Sequence, residues 1–173
     1  MLSILKFVAD PNDTLPAITF WLMGSFASSG SAQITFLLLP FLLGTSLLYL
    51  FRWKLNILSL GDDEAKIAGV HPKLVKSIVL GAATVLIASA VTVSGMIGWV
   101  GLVIPHATRK IIGSNHGYVL PLSSVFGALF MLCSDTVART LGFSEIPIGI
   151  ITSLAGAPLF AFLFLFKDEP IHE

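Results

Sequence analysis

Four long apolar stretches constrain this chain more than any other feature: residues 33–51, 77–104, 118–141 and 146–166. The hydrocarbon core of a bilayer is about 30 Å thick and takes about 20 helical residues, so each stretch reads as a membrane-helix candidate. Composition agrees. The chain is 55% hydrophobic and 12% charged, with a mean hydropathy of +0.90, whereas soluble domains carry about 25% charged residues. Lys+Arg and Asp+Glu are balanced at 10 each, and this balance points to no nucleic-acid partner. The fold class is therefore an all-α integral membrane protein.

The second stretch, 28 residues long, contains Ser94, Gly95 and Gly98. It is either one tilted helix or a full helix, a tight turn and a short return segment. Charge placement separates the two, because Lys and Arg collect on the cytoplasmic side. The link after the first stretch carries Arg52, Lys54, Lys66, Lys73 and Lys76. With a single crossing, Arg109, Lys110 and Lys167 fall outside. With a turn at 94–98 they all fall inside, and the outer turns at 94–98 and 142–145 hold no Lys or Arg. The second arrangement is favoured. It gives about five transmembrane segments, a cytoplasmic link over 52–76 and a cytoplasmic C terminus. The return segment, 99–112, is short for a span, and Pro105 near its middle removes a backbone donor and is expected to kink or break the helix. Such a segment is tolerated where it packs on protein or lines a cavity.

Residues 1–32 form an extracytoplasmic segment on this reading. Residues 1–10 lack the layout of a signal peptide. Asp10-Pro11-Asn12-Asp13 reads as a turn, and 16–26, with Trp21, as a short interfacial helix. Cys133 is the one cysteine, and its apolar surroundings make it a packing residue.

The most informative polar segment is 56–72. Asp62, Asp63 and Glu64 lie where a helix would begin, and acidic groups are favoured there by the helix dipole. Gly61 suits the bend leading in, Gly69 the left-handed residue that ends the helix, and Pro72 follows. A helix over 62–68 has about two turns and is not stable alone in water. It must pack on its own membrane helices or on a partner, with Leu58, Leu60, Ala65 and Ile67 as the apolar contacts. On composition alone a solvated loop is the plainer reading.

A series of motifs changes that weighting. Leu60-Gly61-x-x-x-Ala65-x-x-Ala68-Gly69 resembles the cytoplasmic coupling loop of the iron-siderophore, haem and cobalamin ABC importer permeases, with Ala68 where the family usually has Leu. Gly95-Met-Ile-Gly98-Trp-Val-Gly-Leu-Val-Ile-Pro105-His106 is similar to a second block of that family, and Arg109 falls at its Arg. Gly113-Ser-Asn-His116 with Pro121, Asp135-x-x-x-Arg139, Glu145-Ile-Pro147-Ile-Gly149, Gly156-Ala-Pro158 with Phe160, and Trp21-Leu-Met-Gly24 each have counterparts, in order. The resemblance implies the second half of a ten-span permease in a prokaryotic plasma membrane. A truncated product, one half of a split permease and a partial chain are all compatible with it.

The remaining polar residues admit structural roles. Asp135 and Arg139 share a helix face and attract; charges at membrane depth normally face protein or water, so they form a packing ion pair or line the substrate path. His106 and His116 are ten residues apart with no third ligand at helical spacing, while structural zinc needs four, so no bound metal is assigned. Glu145 is placed to cap the last helix or, as the resemblance implies, to help dock a binding protein. Gly44, Gly81, Gly95, Gly98, Gly127, Gly149 and Gly156 permit close helix packing, with Pro105, Pro147 and Pro158 as further structural positions.

No Gly-x-x-x-x-Gly-Lys-Ser/Thr sequence occurs, nor any acid/base or nucleophile constellation, so the chain is not expected to be an enzyme or to hold a cofactor. The resemblance implies a separate cytoplasmic ATP-binding subunit, a periplasmic or lipid-anchored substrate-binding protein, and a second permease copy or an N-terminal half as partners. Its coupling contacts would be Leu58, Leu60, Gly61, Asp62, Asp63, Glu64, Ala65, Ala68 and Gly69. The competing class is a stand-alone small transporter or membrane scaffold, distinguished by whether an ATPase co-purifies.

Overall fold

The computed structural model describes residues 2–11, 13–26, 29–141 and 146–165. These form α1 (Leu2–Val8), α2 (Thr14–Met23), α3 (Ser31–Leu50), α4 (Arg52–Leu58), α5 (Asp62–Ile67), α6 (Pro72–Ser94), α7 (Val100–Ile112), α8 (His116–Thr140) and α9 (Ile148–Leu165). At 1.5 Å per residue, the 20, 23 and 25 residues of α3, α6 and α8 reach about 30, 35 and 38 Å, enough to cross a bilayer. The 18 residues of α9 give about 27 Å, close to a span. The 13 residues of α7 give only about 20 Å, as expected for a short return segment.

The long apolar stretch is broken at residues 95–99, where both Gly95 and Trp99 have positive φ, 69° and 68°. Of the kink or break expected at Pro105, the break does not occur; the helix is continuous from Val100 to Ile112. Position 105 forfeits only the bond to the Gly101 carbonyl. The turn before it is closed by the N–H groups of Leu102 and Val103 on the Trp99 carbonyl, at 3.0 and 2.9 Å. Pro72 likewise starts a helix, at N1 of α6, where its missing N–H costs nothing. The link at 52–58, read from sequence as part of a loop, is helical.

The helices form two groups. α3 packs along α6, and α7, α8 and α9 pack on one another. In the second group α7 is central: Val103, Ile104 and Thr108 are buried, as are Val119, Ser134 and Ala138 of α8 and Ile148 and Thr152 of α9. The groups are tied at one end by α4, which packs on α8, and at the other by α2, which packs on α9. Between them lies a cleft of about 330 Å³ lined by Thr45, Ser46, Tyr49, Leu120, Pro121 and Ser124. Lys110 Nζ donates to the Leu163 carbonyl at 2.7 Å, which places the far end of α9 at the α4–α5 end of the molecule.

Most apolar side chains point outward: Ile34, Leu39 and Leu43 of α3 are 65%, 66% and 63% exposed. In water such a surface would be untenable; it requires lipid or further protein. The glycines divide accordingly. A Cβ at Gly44 would come within 2.5 Å of Leu86, so this glycine is what brings α3 and α6 together. At Gly81, Gly98 and Gly127 an added Cβ would meet nothing within 4 Å, so the close-packing role expected of them is not exercised among the described residues.

Candidate functional site

The segment from α4 to the start of α6 is built around Gly61. Its φ of +137° is a region that side-chain-bearing residues avoid, and a Cβ there would collide with the Glu64 carboxylate. The bend starts α5, and the Ala65 N–H bonds back to the Gly61 carbonyl at 3.1 Å. Asp62, Asp63 and Glu64 fill the first turn, where the unsatisfied N–H groups favour negative charge. The helix closes at Ala68 and turns away through Gly69, whose φ is +76°.

The apolar residues of this segment are sorted by face. Ala65, Val70 and Val75 form a buried cluster, covered by Phe51, Ile57, Leu58 and Val79. Ala65 is fully buried, so only a small side chain fits where α5 meets the rest. Leu60 and Ile67 point the other way, 72% and 89% exposed, with Asp62, Asp63, Glu64 and Ala68 exposed beside them. Lys76 of α6 grips the Asp62 carboxylate at 2.6 Å and Lys66 holds Asp63 at 2.7 Å. The Lys66 hydrogen bond and charge keep the Asp63 carboxyl below its ordinary range and, reciprocally, hold the Lys66 ammonium above its own. Both are exposed pairs worth little in stability. The segment is thus a short rigid body, anchored through one face and presenting the other.

Asn56 of α4, which the sequence reading left without a role, joins this body to α8. Its Oδ1 accepts from the His116 backbone N–H and from His116 Nδ1–H, both at 2.8 Å. Its Nδ2 donates to Asn115 Oδ1 at 2.9 Å, and the same oxygen accepts from the Gly117 N–H at 2.8 Å. Only one orientation of each amide satisfies all four bonds, and His116 must carry its proton on Nδ1. The partners are 59 and 60 residues apart, a pairing no local pattern reveals; the one signal was a polar Asn in an otherwise apolar turn.

A second constellation lies at the opposite end, where three motifs well separated in sequence converge. Gly95 has φ +69° and a Cβ on it would run into the Trp21 carbonyl oxygen; a Cβ on Gly149 would run into that of Met23; one on Gly24 would lie 2.9 Å from the Met96 carbonyl oxygen. Ser25 N–H bonds to the Ser94 carbonyl at 2.9 Å and Ile148 N–H to the Gly24 carbonyl at 3.0 Å. Pro147 leads into this contact, its carbonyl accepting from the Ile150 N–H at 3.1 Å. Next to it, Trp99 packs on Gly156, whose Cβ would lie 2.6 Å away, and its ring stands 6.0 Å from that of Phe160. Pro158 sits inside α9. Arg139 Nε donates to Asp135 Oδ2 at 2.9 Å near the end of α8.

The two histidines are not brought together. His106 Nδ1 lies 2.9 Å from the Leu102 carbonyl and its ring meets Phe160 edge-on, while His116 belongs to the Asn56 network. Among the described residues no group of three or more His, Cys, Asp or Glu side chains could hold a metal ion. Glu145, with the turn around it, lies outside the described residues, as does Lys167.

Comparison with known proteins places this architecture. The family model described as the FecCD transport family matches residues 1–166. The chain is 47% identical over 163 residues to the molybdate import permease of Haemophilus influenzae, covering 94% of this chain and 48% of that protein. It is 41% identical over 170 residues to the hemin transport permease of Yersinia pestis, covering 96% and 50%. A solved structure described as an inward-facing conformation of a metal-chelate type ABC transporter superposes with a TM-score of 0.91 at 47% identity, covering 94% of this chain and 53% of that one. The chain thus spans about half the length of the curated relatives it matches. On the extent of the family match and on these identities, it belongs to the FecCD transport family.

Proposed function

We propose that this chain is the second half of an ABC importer permease for metal chelates or related metal species, driven by a separate ATP-binding subunit that docks on α5. The observation that carries this reading is the outward pair Leu60 and Ile67 on a two-turn helix whose other face is locked to α4 and α6. An exposed apolar pair on a rigid support is what a partner groove requires. ATP-driven closure of the ATPase would move the segment as one piece and tilt the attached helices, exchanging an outward-open for an inward-open path. Such a switch needs the ATPase to interact differently with the two states.

The end bearing Arg52, Lys54, Lys66, Lys73, Lys76, Arg109 and Lys110 is the cytoplasmic one on this reading, and the C-terminal end of α9 lies on the same side. The glycine junction and Asp135–Arg139 then face outward, where a substrate-binding protein would deliver cargo. An N-terminal half supplies the remaining spans, and a second permease copy completes the path. The relatives' names set the panel of cargo: molybdate, hemin, cobalamin and ferric hydroxamate.

The test is uptake of that panel by the complete transporter in proteoliposomes, with Gly61→Leu as the perturbation. A leucine there meets a disfavoured φ, while the exposed Glu64 side chain can swing aside, so the bend into α5 is strained and ATP hydrolysis should continue while uptake of the carried substrate falls. Unchanged uptake argues against a coupling role, and uptake of none of the panel argues against the substrate class.

A further inference from the structure

We propose that Asn56 is the positioning residue through which the coupling segment moves α8. The proposal rests on the coupling reading above and deepens it. Covalently, the segment is attached to α3 and α6 alone. Those two helices pack on each other, and the cleft beside Thr45 and Ser124 separates them from α8. A push delivered to α5 would therefore reach the α3–α6 pair directly, and at this end of the molecule it reaches α7, α8 and α9 through the contact that ties the two groups. That tie is α4 on α8, and its polar component is Asn56.

The chemistry of the tie is directional. The first N–H groups of a helix have no partner within it. At α8 the His116 N–H is satisfied by Asn56 Oδ1 and the Gly117 N–H by Asn115 Oδ1. Asn56 thus caps a helix of another group, while its Nδ2 holds the local cap, Asn115, in place. Moving α4 away from α8 uncovers the His116 N–H and the His116 ring nitrogen together and releases the side chain of the local cap, Asn115. Sliding is resisted because three bonds depend on one orientation of the Asn56 amide. Coupling between distant sites is carried by such packed, hydrogen-bonded contacts.

The experiment uses the complete transporter with its ATPase, spin-labelled on Cys133 of α8 and at Ile87→Cys of α6, with other cysteines replaced. Distance distributions are recorded without nucleotide and after trapping with ATP, Mg²⁺ and vanadate. In the transporter with Asn56 intact, the 87–133 distribution should keep its mean and width through trapping, because α6 and α8 move together. In Asn56→Ala, trapping should shift or broaden it, because α6 moves and α8 lags. Asn56→Asp keeps both acceptor bonds and is favoured by the α8 dipole, but it loses the donor to Asn115 Oδ1, so its distribution should shift or broaden less than that of Asn56→Ala. It also guards against misfolding as the cause of the alanine effect. A distribution that shifts already with Asn56 in place, or one that Asn56→Ala leaves untouched by trapping, overturns the proposal. Failure of the ATPase to associate with the intact transporter instead overturns the coupling reading, and the two failures are distinguishable because association is measured first.

Discussion

Replacing Leu60 and Ile67 together by alanine should detach the ATPase without unfolding the permease. Each change removes three carbons. At about 0.8 kcal/mol per buried methylene, full burial of either side chain by a partner is worth about 2.4 kcal/mol. Leu60 is already 28% covered and Ile67 11% covered by the chain itself, taking the complements of their 72% and 89% exposure. The partner can therefore gain at most about 1.7 kcal/mol from the first and about 2.1 kcal/mol from the second. The sum, about 4 kcal/mol, corresponds to a loss of nearly a thousandfold in Kd at complete coverage, and half coverage to about thirtyfold. Within the permease these side chains touch little, and exposed substitutions of this kind stay within about 0.5 kcal/mol. The assay is titration of the purified ATPase against detergent-solubilised transporter, with thermal unfolding of the permease alongside. Binding within threefold of the parent at unchanged Tm would refute the argument, since no apolar docking of this face could then be present.

Other outcomes follow from the same geometry. Gly149→Ala, which drives a methyl into the Met23 carbonyl, should lower Tm and yield sharply, whereas Gly81→Ala, with open space, should be neutral or better in an isolated helix; thermal scans of the two variants compare them directly. Val75→Ala empties part of the cluster that anchors α5 and should weaken ATPase binding indirectly, by about 1–3 kcal/mol of lost local stability, read as faster proteolysis within residues 59–71. The Asp63–Lys66 pair has a defined pH sign. Asp63 titrates below its unfolded value, so whatever it contributes is present above the ordinary carboxylate range and fades as pH falls through the lowered value. Both groups are fully exposed, so Asp63→Asn should leave Tm unchanged at pH 7, and a clear drop would show that the pair is not solvated as described.

Much of this was legible in the sequence because membrane helices obey one dominant rule. Apolar length placed α3, α6, α8 and α9, and the Lys/Arg distribution located the turn before α7. Gly61 and Gly69 marked the ends of α5 because positive φ and glycine go together. What escaped was long-range or cooperative. Pro105 was expected to kink or break α7, yet the helix runs on through it, because only one carbonyl is freed in an otherwise packed helix. Leu58 and Leu60 look alike in sequence; only the fold turns one inward and the other out. The junction of Gly24, Gly95 and Gly149 was visible as three separate motifs, and nothing local says that they share one contact. The role of Asn56 escaped for the same reason, since its partners lie 59 and 60 residues away.

The central claim, that the exposed face of α5 is where energy enters the permease, is tested most directly by site-specific photo-crosslinking. A photoreactive residue placed at Ile67 in the complete transporter should capture the ATPase subunit, with a yield that changes when ATP and vanadate are added; the same residue at Leu74, exposed at the start of α6, serves as the off-face comparison. Capture from position 67 that is absent, or that is no stronger than from position 74 and insensitive to nucleotide, would contradict the account.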